Sequence, residues 1–513
     1  MSEHAHRTGE ALPTQEEWIQ KYKNYRVEYK WQALWSYFLH HQGDEWFKEK
    51  YSPDVRFQEA RKQRRRAGRI GHKKAWLNEL RAGVLDHVCF DLKASSSTQP
   101  TSMYTVTNRY GNEKHYDTDI LTIPPDSEHQ LLVRTWPPDL PRVELEDHLR
   151  TCPGFRYVAL LEPIPQRRYH RAGIAVFEPG TDMREAIRRL DGKMFGDFML
   201  HLAVMDRPSN SRLRIAPAST NTLSRLTTDL ARAKKLLVKM EDEDRTSLFA
   251  DEFLVGGDTW TWLGVSLCDE IAAHLQRLAP RDADSDKEKR VQLKKALDLH
   301  LDALRRVYHV DYYLCLQCDS REELERRSAC HVRRQPAEVD EEATYVDVEH
   351  WWLDHHDTKI KLFLDPAHVL PMVGGIDRDA LEESLTSQYI VQLDEGKFQC
   401  TVPTSHGACG KLFKAAGFTR KHIRNRHTHW LEERGGDRYA FASYFNSYLC
   451  DPMRMMSTNG PKDGKSEDVP RPASPLRAGE RAVQQRAAPR SSRPGCYQDL
   501  DGAASGEITE LQY

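Results

Sequence analysis

The sequence predicts an α+β protein: a mainly helical body with an inserted ferredoxin-like domain, a Cys2His2-like finger module and a disordered C-terminal tail. In the N-terminal and middle regions, apolar residues recur at the three- and four-residue steps of a helix face. Residues 130–206 instead show four short strands and two helices in the order β-α-β-β-α-β, the ferredoxin-like plan. Cysteines and histidines with metal-ligand spacing cluster within residues 396–450.

Composition limits the class of protein. The chain has 513 residues, of which 39% are hydrophobic and 30% charged, with a formal net charge of -2. This balance argues against a protein that coats nucleic acid with its whole surface, so any such contact must be local. No run of about 18 apolar residues occurs, so no membrane-spanning helix is expected. Met1–Pro13 has no apolar signal segment, and ten irregularly spaced cysteines favour a reducing compartment.

The N-terminal region, residues 15–127, is predicted to be helical with a loop. Its first helix should bury one face, formed by residues at helical spacing and widened by Trp31, Leu34 and Trp35: Trp18, Tyr22, Tyr25, Tyr29 and Ala33. The segment Asp44–Asp54 is typical of a second helix with an acidic start, ended by Pro53. Residues 91–127 are rich in Ser, Thr, Asn and Pro, which indicates a loop or linker.

A basic run lies between Arg56 and Lys74 and holds nine Lys or Arg with a single acid. Three interpretations stay open: a solvated helix face, a nuclear-import signal within Arg61–Lys74, or a contact with an RNA backbone. Each of them requires only exposed positive charge, so the sequence does not decide between them.

The ferredoxin-like domain, residues 128–207, follows the plan of RNA-recognition motifs. Its strands are expected at 131–136, 157–161, 173–177 and 200–205, and its helices at 141–152 and 183–190. Such domains stack bases on aromatic side chains of the first and third strands, but Ala172 and Ile174 occupy the third-strand positions. The sheet is therefore a poor stacking platform, and protein binding or a structural role is the alternative to RNA binding.

Four residues of this domain are candidate RNA contacts: Trp136, Arg167, Arg168 and Arg171. Trp136 is the aromatic residue of the first strand, and the arginines form a basic rim with His170 that can contact phosphates. Phe177 is the other aromatic residue, and it suits the core equally well.

The middle region, residues 208–395, is predicted to pack as a helical bundle. One apolar stripe comprises Leu223, Leu226, Leu230, Ala233, Leu237 and Met240. A second comprises Val291, Leu297, Leu301, Leu304 and Tyr308, interrupted by Lys294. Cys315, Cys318, Cys330 and His331 have a spacing that can bind metal, but without a glycine knuckle, so ordinary packing is the alternative.

The strongest chemical signal is a set of four residues in the module at 396–450: Cys400, Cys409, His422 and His427. Twelve residues separate Cys409 from His422 and four separate the histidines, as in the second half of a Cys2His2 finger. Four protein ligands leave no open position, so the Zn²⁺ they predict is structural. The alternative is a polar hairpin without metal.

Two departures from the usual finger affect this prediction. Eight residues separate the cysteines, where roughly two to four are usual, and the second core aromatic is displaced by one position. Phe413 and Phe418 are the expected core aromatics, and His406 and His429 are substitute ligands. Six basic residues on the module suit phosphate or an acidic peptide, unless they only aid solubility: Lys411, Lys414, Arg420, Lys421, Arg424 and Arg426.

No catalytic motif is found. A glycine-rich phosphate loop, a nucleophile elbow and a His-Glu-x-x-His site are absent, so we expect a protein that is not an enzyme. His355-His356-Asp357 can bind metal, although a solvated helix end is the simpler interpretation. Residues 451–495 lack apolar periodicity and are expected to be a disordered linker, as are residues 1–14 at the other end.

Several segments, in this order, resemble the Serrate/arsenite-resistance protein 2 family. The first two are Glu45–Asp54 and the degenerate ferredoxin-like domain, with Pro153–Phe155 and Glu162-Pro163. The others are Leu304–Tyr313 followed by His331–Arg333, then Phe418–His427, and then Tyr497–Asp501. One departure is Ile174, which stands where the family would lead us to expect an aromatic residue.

The resemblance implies a nuclear RNA-processing adaptor. Family members bind the nuclear cap-binding complex and support microRNA processing, gene silencing, transcript 3′-end formation and RNA turnover, and their finger recruits protein partners. By the same resemblance, the tail at 496–513 contacts the cap-binding complex through Tyr497, Asp499, Leu500 and Asp501. An RNA-binding zinc-finger protein that acts on RNA directly is the alternative.

Overall fold

The computed structural model describes residues 14–92, 103–107, 113–117, 129–205, 213–248, 264–278, 286–328, 330–334, 347–404 and 407–456. Its helices, combined with several small sheets, confirm the α+β class. The tail contacts expected at Tyr497, Asp499, Leu500 and Asp501 lie outside the described residues, as do His406, residues 1–13 and residues 457–495. None of the helices in the described ranges combines the length and apolar composition that a bilayer crossing requires.

Four helices form the N-terminal region: α1 Gln15–His41, α2 Glu45–Tyr51, α3 Val55–Arg69 and α4 His72–Arg81. Helix α1 begins with a capping box between Thr14 and Glu17. The prediction of a buried face is wrong for the first half of α1, because Trp18, Tyr22 and Tyr25 are 45 to 62% exposed. The prediction is confirmed in the second half of the helix, where Ala33, Leu34 and Trp35 are buried.

An aromatic cluster joins the N-terminal helices to the C-terminal part of the described chain. The second half of α1 and helix α2 pack against α15, the last helix of the described residues, which spans Thr428–Leu449. Phe38 is the centre, with ring centroids 5.1 Å from Phe445, 5.8 Å from Phe47 and 6.1 Å from Tyr448. Such aromatic pairs add about 0.5–1.5 kcal/mol each beyond burial of their area.

The segment predicted to be a loop contains a hairpin. Strands β1 Met103–Thr107 and β2 Glu113–Asp117 pair in antiparallel fashion, so the linker prediction is wrong at these residues. The linker prediction was based on the Ser and Thr content of the segment. It gave too little weight to Tyr104, Val106 and Tyr116, whose side-chain types favour strands.

The ferredoxin-like order of elements is present within residues 130–204. The domain has four strands: β3 Gln130–Trp136, β4 Phe155–Leu160, β5 Arg171–Phe177 and β8 Leu202–Val204. Helix α5 Arg142–Leu149 follows β3, and helix α6 Met183–Leu190 follows β5. The sheet is antiparallel with the order β4-β5-β3-β8. A short hairpin, β6 Met194–Phe195 with β7 Phe198–Met199, precedes the last strand. Phe177 lies in the core, which confirms the core position and not the stacking position of the two predicted for it.

The middle region is built from helices α7 Leu223–Leu248, α8 Leu267–Leu278, α9 Asp286–Tyr308, α10 Arg321–Arg327 and α11 Asp347–Leu364. Both predicted stripes face the main core, except that Val291 is exposed and Leu223 is half-buried. Short strands connect the helices: β9 Leu213–Ala216, β10 Val310–Asp311, β11 Leu316–Gln317 and β12 Cys330–Arg333. Strand β12 pairs in parallel with β9.

A buried arginine ties this core to the N-terminal region. The side chain of Arg333 is fully buried, and it donates to Asp91 at 2.8 Å and to Asp298 at 2.5 Å. Its backbone pairs with Phe90 and Leu92, at 2.7 and 2.8 Å. Two carboxylates therefore offset one buried charge, as a buried ion requires.

The C-terminal part begins with helices α12 Pro366–Val369 and α13 Arg378–Thr386. The finger module follows, and we define it as strands β13 Ile390–Asp394, β14 Lys397–Cys400, β15 Pro403–Thr404, β16 Gly407–Ala408 and β17 Leu412–Phe413 with helix α14 Ala416–Arg426. Strands β13, β14 and β17 form one sheet, and β15 and β16 form a separate hairpin.

The structure predicts that the ion pair of Glu49 with Arg171, which holds the sheet against α2, is essential for stability. Both side chains are less than 10% exposed, and two hydrogen bonds of 2.9 and 3.0 Å join them. Glu49→Gln should lower the free energy of unfolding by about 3–5 kcal/mol, because it leaves a buried guanidinium without its partner. Denaturant unfolding measures this loss.

The matched control is Glu59→Gln, which removes the exposed pair of Glu59 with Lys62. That change should cost about 0–1 kcal/mol. Equal losses in the two variants would show that the buried pair does not hold the sheet domain in place.

Candidate metal centre and partner surfaces

Local strand geometry brings Cys400 and Cys409 together. Cys400 ends β14, and the β15–β16 hairpin occupies the residues between the two cysteines. Backbone hydrogen bonds join Cys409 to Val402 at 3.0 Å and Gly410 to Cys400 at 2.8 Å, and Gly410 adopts a positive φ of 72°. The hairpin therefore absorbs the unusual eight-residue spacing and returns the second cysteine beside the first.

Helix α14 supplies the two histidines. His422 lies in its last turns and His427 directly follows its end. The ligand atoms of Cys400, Cys409, His422 and His427 lie within 4.8 Å of one another, and Cys409 Sγ is 3.3 Å from His422 Nε2. The sequence-predicted ligand set is thus assembled in one place, with the dimensions of a four-coordinate site.

The chemistry of these four groups fits a cation. Nε2 of His427 is buried without a hydrogen-bond partner among the described residues. Burial raises the pKa of the Cys400 thiol, and the adjacent Cys409 raises it further, so two thiolates here need a positive neighbour. Burial and then His427 lower the pKa of His422, which keeps its imidazole in the neutral, ligating form.

The hydrophobic support of this site differs in part from the prediction. Phe413 is half-buried and contacts His422, with 4.9 Å between ring centroids. Phe418 is 61% exposed, so its predicted place in the core is wrong, and the fully buried Ile423 fills it. His429 is not a ligand: its side chain is 96% exposed.

Phe418 instead forms one wall of a groove. The groove has a volume of about 480 Å³, and basic and apolar side chains line it together with Asn425 and His422: Leu412, Phe413, Lys414, Phe418, Lys421 and Arg426. Lys414, Lys421 and Arg426 are exposed, as is Lys411 outside the groove. An apolar ring among cations suits a ligand with both acidic and apolar parts.

Two of the six predicted surface cations have internal partners. Arg420 pairs with Glu383 at 2.6 Å, and Arg424 pairs with Glu382 at 2.8 Å. These pairs hold α14 against α13, so the prediction of a partner-binding role is weakened at these two positions. Periodicity on α14 could not show this, since the acids belong to another helix.

The second Cys/His set does not assemble. Within the described ranges, the cluster around Cys400 is the one group of three or more ligating residues with dimensions suited to a metal. Cys315 is buried and donates to the carbonyl of Tyr312, and Cys318 belongs to a separate apolar cluster. His331 faces Asp311 at 3.5 Å. The alternative of ordinary packing is the one observed.

The motif His355-His356-Asp357 is not a solvated helix end either. It lies inside α11, where His356 is 3% exposed. Asp357 accepts hydrogen bonds from Arg225 at 2.7 Å and from Arg232 at 2.6 Å. These residues fasten α11 to α7.

Two of the four candidate RNA contacts are wrong. Trp136 is fully buried, donates to the carbonyl of Leu140 at 3.2 Å and packs on Phe195 and Phe198. Arg171 is 5% exposed, because it pairs with Glu49.

The other two, Arg167 and Arg168, are exposed on the turn before β5. Tyr169 in that turn stacks on Trp46, with 5.7 Å between ring centroids, and so anchors the turn to α2.

The outer face of the sheet is covered by the helical body. Ile174 and Val176 on β5 are 2% and 7% exposed, although they point away from helices α5 and α6. Glu322 of α10 reaches this face and accepts hydrogen bonds from Tyr157 at 3.0 Å and from Gln130 at 3.4 Å. Bases cannot stack on a surface that is already buried.

The basic run between Arg56 and Lys74 is largely engaged inside the molecule. Arg64 and Arg65 pair with Asp319 at 3.0 and 3.3 Å, and Arg69 pairs with Asp244 at 2.6 Å. For Arg64 and Arg69, whose side chains are 13% and 6% exposed, the three interpretations based on exposed charge do not hold, whereas Arg65 keeps 35% of its side chain exposed. The acids lie about 175 to 255 positions away in sequence, so no local signal could reveal them.

Comparisons with known families give two matches. Residues 6–113 match the family model "SERRATE/Ars2, N-terminal domain", and residues 337–512 match the model "Arsenite-resistance protein 2". The second match includes the finger module and the chain beyond it.

Curated relatives carry the name "Serrate RNA effector molecule homolog". The Caenorhabditis elegans relative is 23% identical over 89% of this chain and 75% of its own. The Drosophila melanogaster relative is 24% identical over 65% of this chain, and the Xenopus laevis relative, homolog A, is 26% identical over 65%. The chain spans 37% and 40% of these last two proteins, which are much longer.

One solved structure, described as "Molecular insights into miRNA processing by Arabidopsis Serrate", aligns over 86% of this chain and 94% of its own. Its sequence identity is 15% and its TM-score is 0.26, which is too low to compare the two folds in detail.

The geometry predicts one zinc ion per chain. Cys409→Ala or His422→Ala should abolish zinc retention, because three ligands bind structural zinc far less tightly than four. His429→Ala is the matched control and should retain the ion, since this exposed histidine lies outside the cluster. Elemental analysis of the purified protein measures the ratio. Retention by Cys409→Ala, or loss in His429→Ala, would contradict the assignment.

Proposed function

This chain belongs to the Serrate/Ars2 family, and we propose that it acts as a nuclear adaptor without enzymatic activity. It links the cap-binding complex on capped transcripts to RNA-processing and turnover proteins, including primary microRNA processing in lineages that have it. The observation that carries this proposal is the match of residues 337–512 to the arsenite-resistance protein 2 model, which runs through the finger module to the tail.

The tail is the proposed contact with the cap-binding complex. Residues 496–513 contain a short sequence with one aromatic, one aliphatic and two acidic residues: Tyr497, Leu500, Asp499 and Asp501. A peptide of this composition can bury its apolar side chains in a groove while its carboxylates face basic residues. This position within the family match supports the assignment.

The finger module is the proposed site for protein partners. Zn²⁺ bound by Cys400, Cys409, His422 and His427 would hold α14 against β14 and β17, and so would fix the shape of the groove. The exposed Lys414, Lys421 and Arg426 suit the acidic residues of a partner peptide, and Phe418 suits an apolar one. A metal enclosed by four protein ligands activates no water, which agrees with an adaptor.

One observation favours the second candidate, direct RNA binding by the finger. An exposed aromatic ring among cations can also stack a base and contact phosphates. The covered sheet and the buried Trp136 and Arg171 weigh against the ferredoxin-like domain as the RNA-binding partner of such a finger. Exposed Arg167 and Arg168 leave phosphate contact at its rim available.

The tail alone should be sufficient for contact with the cap-binding complex. A peptide of residues 490–513 should bind the purified nuclear cap-binding complex, with a cap analogue present, at micromolar affinity or tighter. Tyr497→Ala together with Asp499→Ala should abolish binding, because the peptide then loses an apolar anchor and a charge. Calorimetry measures both affinities. If neither the peptide nor the full chain binds, the adaptor proposal is wrong.

The positive charge of the groove should determine its affinity for an acidic peptide. Lys421→Glu in the full chain should weaken binding of an acidic peptide such as an Asp/Glu-rich 12-mer with one Ile by about tenfold or more, because an attractive charge becomes repulsive. Lys397→Glu is the control, since Lys397 is exposed on the same module but outside the groove. Fluorescence anisotropy with labelled peptide and labelled single-stranded RNA separates the two candidates: loss of RNA binding alone would favour the second.

A further inference from the structure

A cavity of about 310 Å³ lies where the N-terminal helices, the ferredoxin-like domain, the middle region and the end of α15 meet. Its lining comes from α2, α3, the start of α5, β5, α10, Phe363 of α11 and residues 160–163, 315–319 and 447–452. The volume is at the lower end of the roughly 300–1,000 Å³ found for small-molecule sites. Its lining residues lie outside the finger module.

The lining has an excess of positive charge. Seven Lys or Arg side chains and five carboxylates surround the cavity. Glu146, which pairs with Arg142 at 2.7 Å, lies just outside the lining and is shared with the exposed Arg150. The excess is therefore two charges within the lining, and one when Glu146 is counted.

The carboxylates of the lining are already engaged. Glu49 accepts two hydrogen bonds from Arg171, and Asp319 is shared by Arg64 and Arg65. Elsewhere in the lining, Lys50 pairs with Glu162 at 2.7 Å and with Asp451 at 2.9 Å, and Arg327 pairs with Glu162 at 2.8 Å and lies 3.7 Å from Glu323. The unbalanced cations are therefore those of α3 and its neighbours, because Lys50 and Arg327 face three carboxylates.

Three arginines of α3 carry this imbalance. Arg61, Arg64 and Arg65 are spaced i, i+3 and i+4, so they lie on one side of the helix. The partners of Arg61 are neutral: it donates to the carbonyls of Glu49 at 3.1 Å and Ser52 at 2.8 Å. Burial, followed by the charges of Arg65 and Arg64, lowers the pKa of Arg61 to about 10. Crowded guanidinium groups of this kind are stabilised by an added anion.

We propose that this cavity binds a compact phosphate-bearing anion through Arg61, Arg64 and Arg65 of α3, with Arg142 of α5 facing them. Guanidinium groups pair with phosphate through two parallel hydrogen bonds, which a carbonyl or a shared carboxylate does not replace. The bound anion joins α3 to the ferredoxin-like domain and stabilises their contact. This site is independent of the proposed adaptor contacts.

The test uses the full chain with inorganic pyrophosphate and adenosine monophosphate as probes, against sodium chloride of equal ionic strength. Calorimetry should show one site per chain for at least one probe, and that probe should raise the midpoint of thermal unfolding. Arg65→Gln should weaken binding about tenfold or more, since it removes a charge-assisted hydrogen bond. Lys62→Gln, on the exposed side of the same helix, should leave the affinity unchanged.

The two probes distinguish the source of the phosphate: tighter pyrophosphate binding indicates a free oligophosphate, and tighter nucleotide binding indicates a terminal phosphate. Arg65 is the best position to change because its side chain is 35% exposed, so Arg65→Gln should fold even where Arg61→Gln does not. The proposal is wrong if neither probe binds, or if Arg65→Gln and Lys62→Gln bind alike.

Discussion

The buried ion pair between Glu49 and Arg171 determines how the ferredoxin-like domain sits on the helical body. Each charge loses its water when the two parts meet, at a cost of several kcal/mol, and the two parallel hydrogen bonds offset that cost. The pair can form only when the domain is docked. Docking in turn buries Ile174 and Val176, the face on which an RNA-recognition motif would stack bases. One ionic contact therefore links the docking of this domain to the burial of its base-stacking face.

The same junction explains why the basic segment of α3 is not a free surface. Its arginines meet Asp319, Asp244 and backbone carbonyls, so their charge is used to connect distant parts of the chain. An exposed surface of a different kind lies in the finger module. There the groove beside the Cys/His cluster exposes both an aromatic ring and cations. The molecule thus separates a closed, ion-paired core from an open groove with exposed aromatic and basic side chains.

Sequence patterns succeeded where one physical requirement acts locally. The stripes on α7 and α9 were predictable because a helix in a bundle repeats its apolar face every 3.6 residues. The Cys/His cluster was predictable because tetrahedral coordination restricts the spacing of the residues that can provide it. The eight-residue gap was no obstacle, since a hairpin returns Cys409 to Cys400 by backbone hydrogen bonds alone.

The predictions that failed share a different cause. A sequence pattern shows which residues are apolar or aromatic, but it does not show which element packs against them. The stripe at Trp18, Tyr22 and Tyr25 has helical spacing, but the packing partner α15 meets only the second half of α1. Trp136 has the residue type and strand position of a stacking residue, but the β6–β7 hairpin covers it. This cover could not be predicted, because a strand of two residues has almost no sequence signal. Phe418 was placed in the core by analogy with shorter fingers, where no hairpin insert is present.

The central claim is that capped RNA reaches this protein mainly through a protein partner and not through the covered sheet. Binding of a capped RNA oligonucleotide to the full chain, measured with and without the purified cap-binding complex, tests it most directly. The account predicts weak binding by the chain alone and a stable ternary complex when the cap-binding complex is added. Tight binding by the chain alone, unchanged by the complex and independent of the cap, would contradict it.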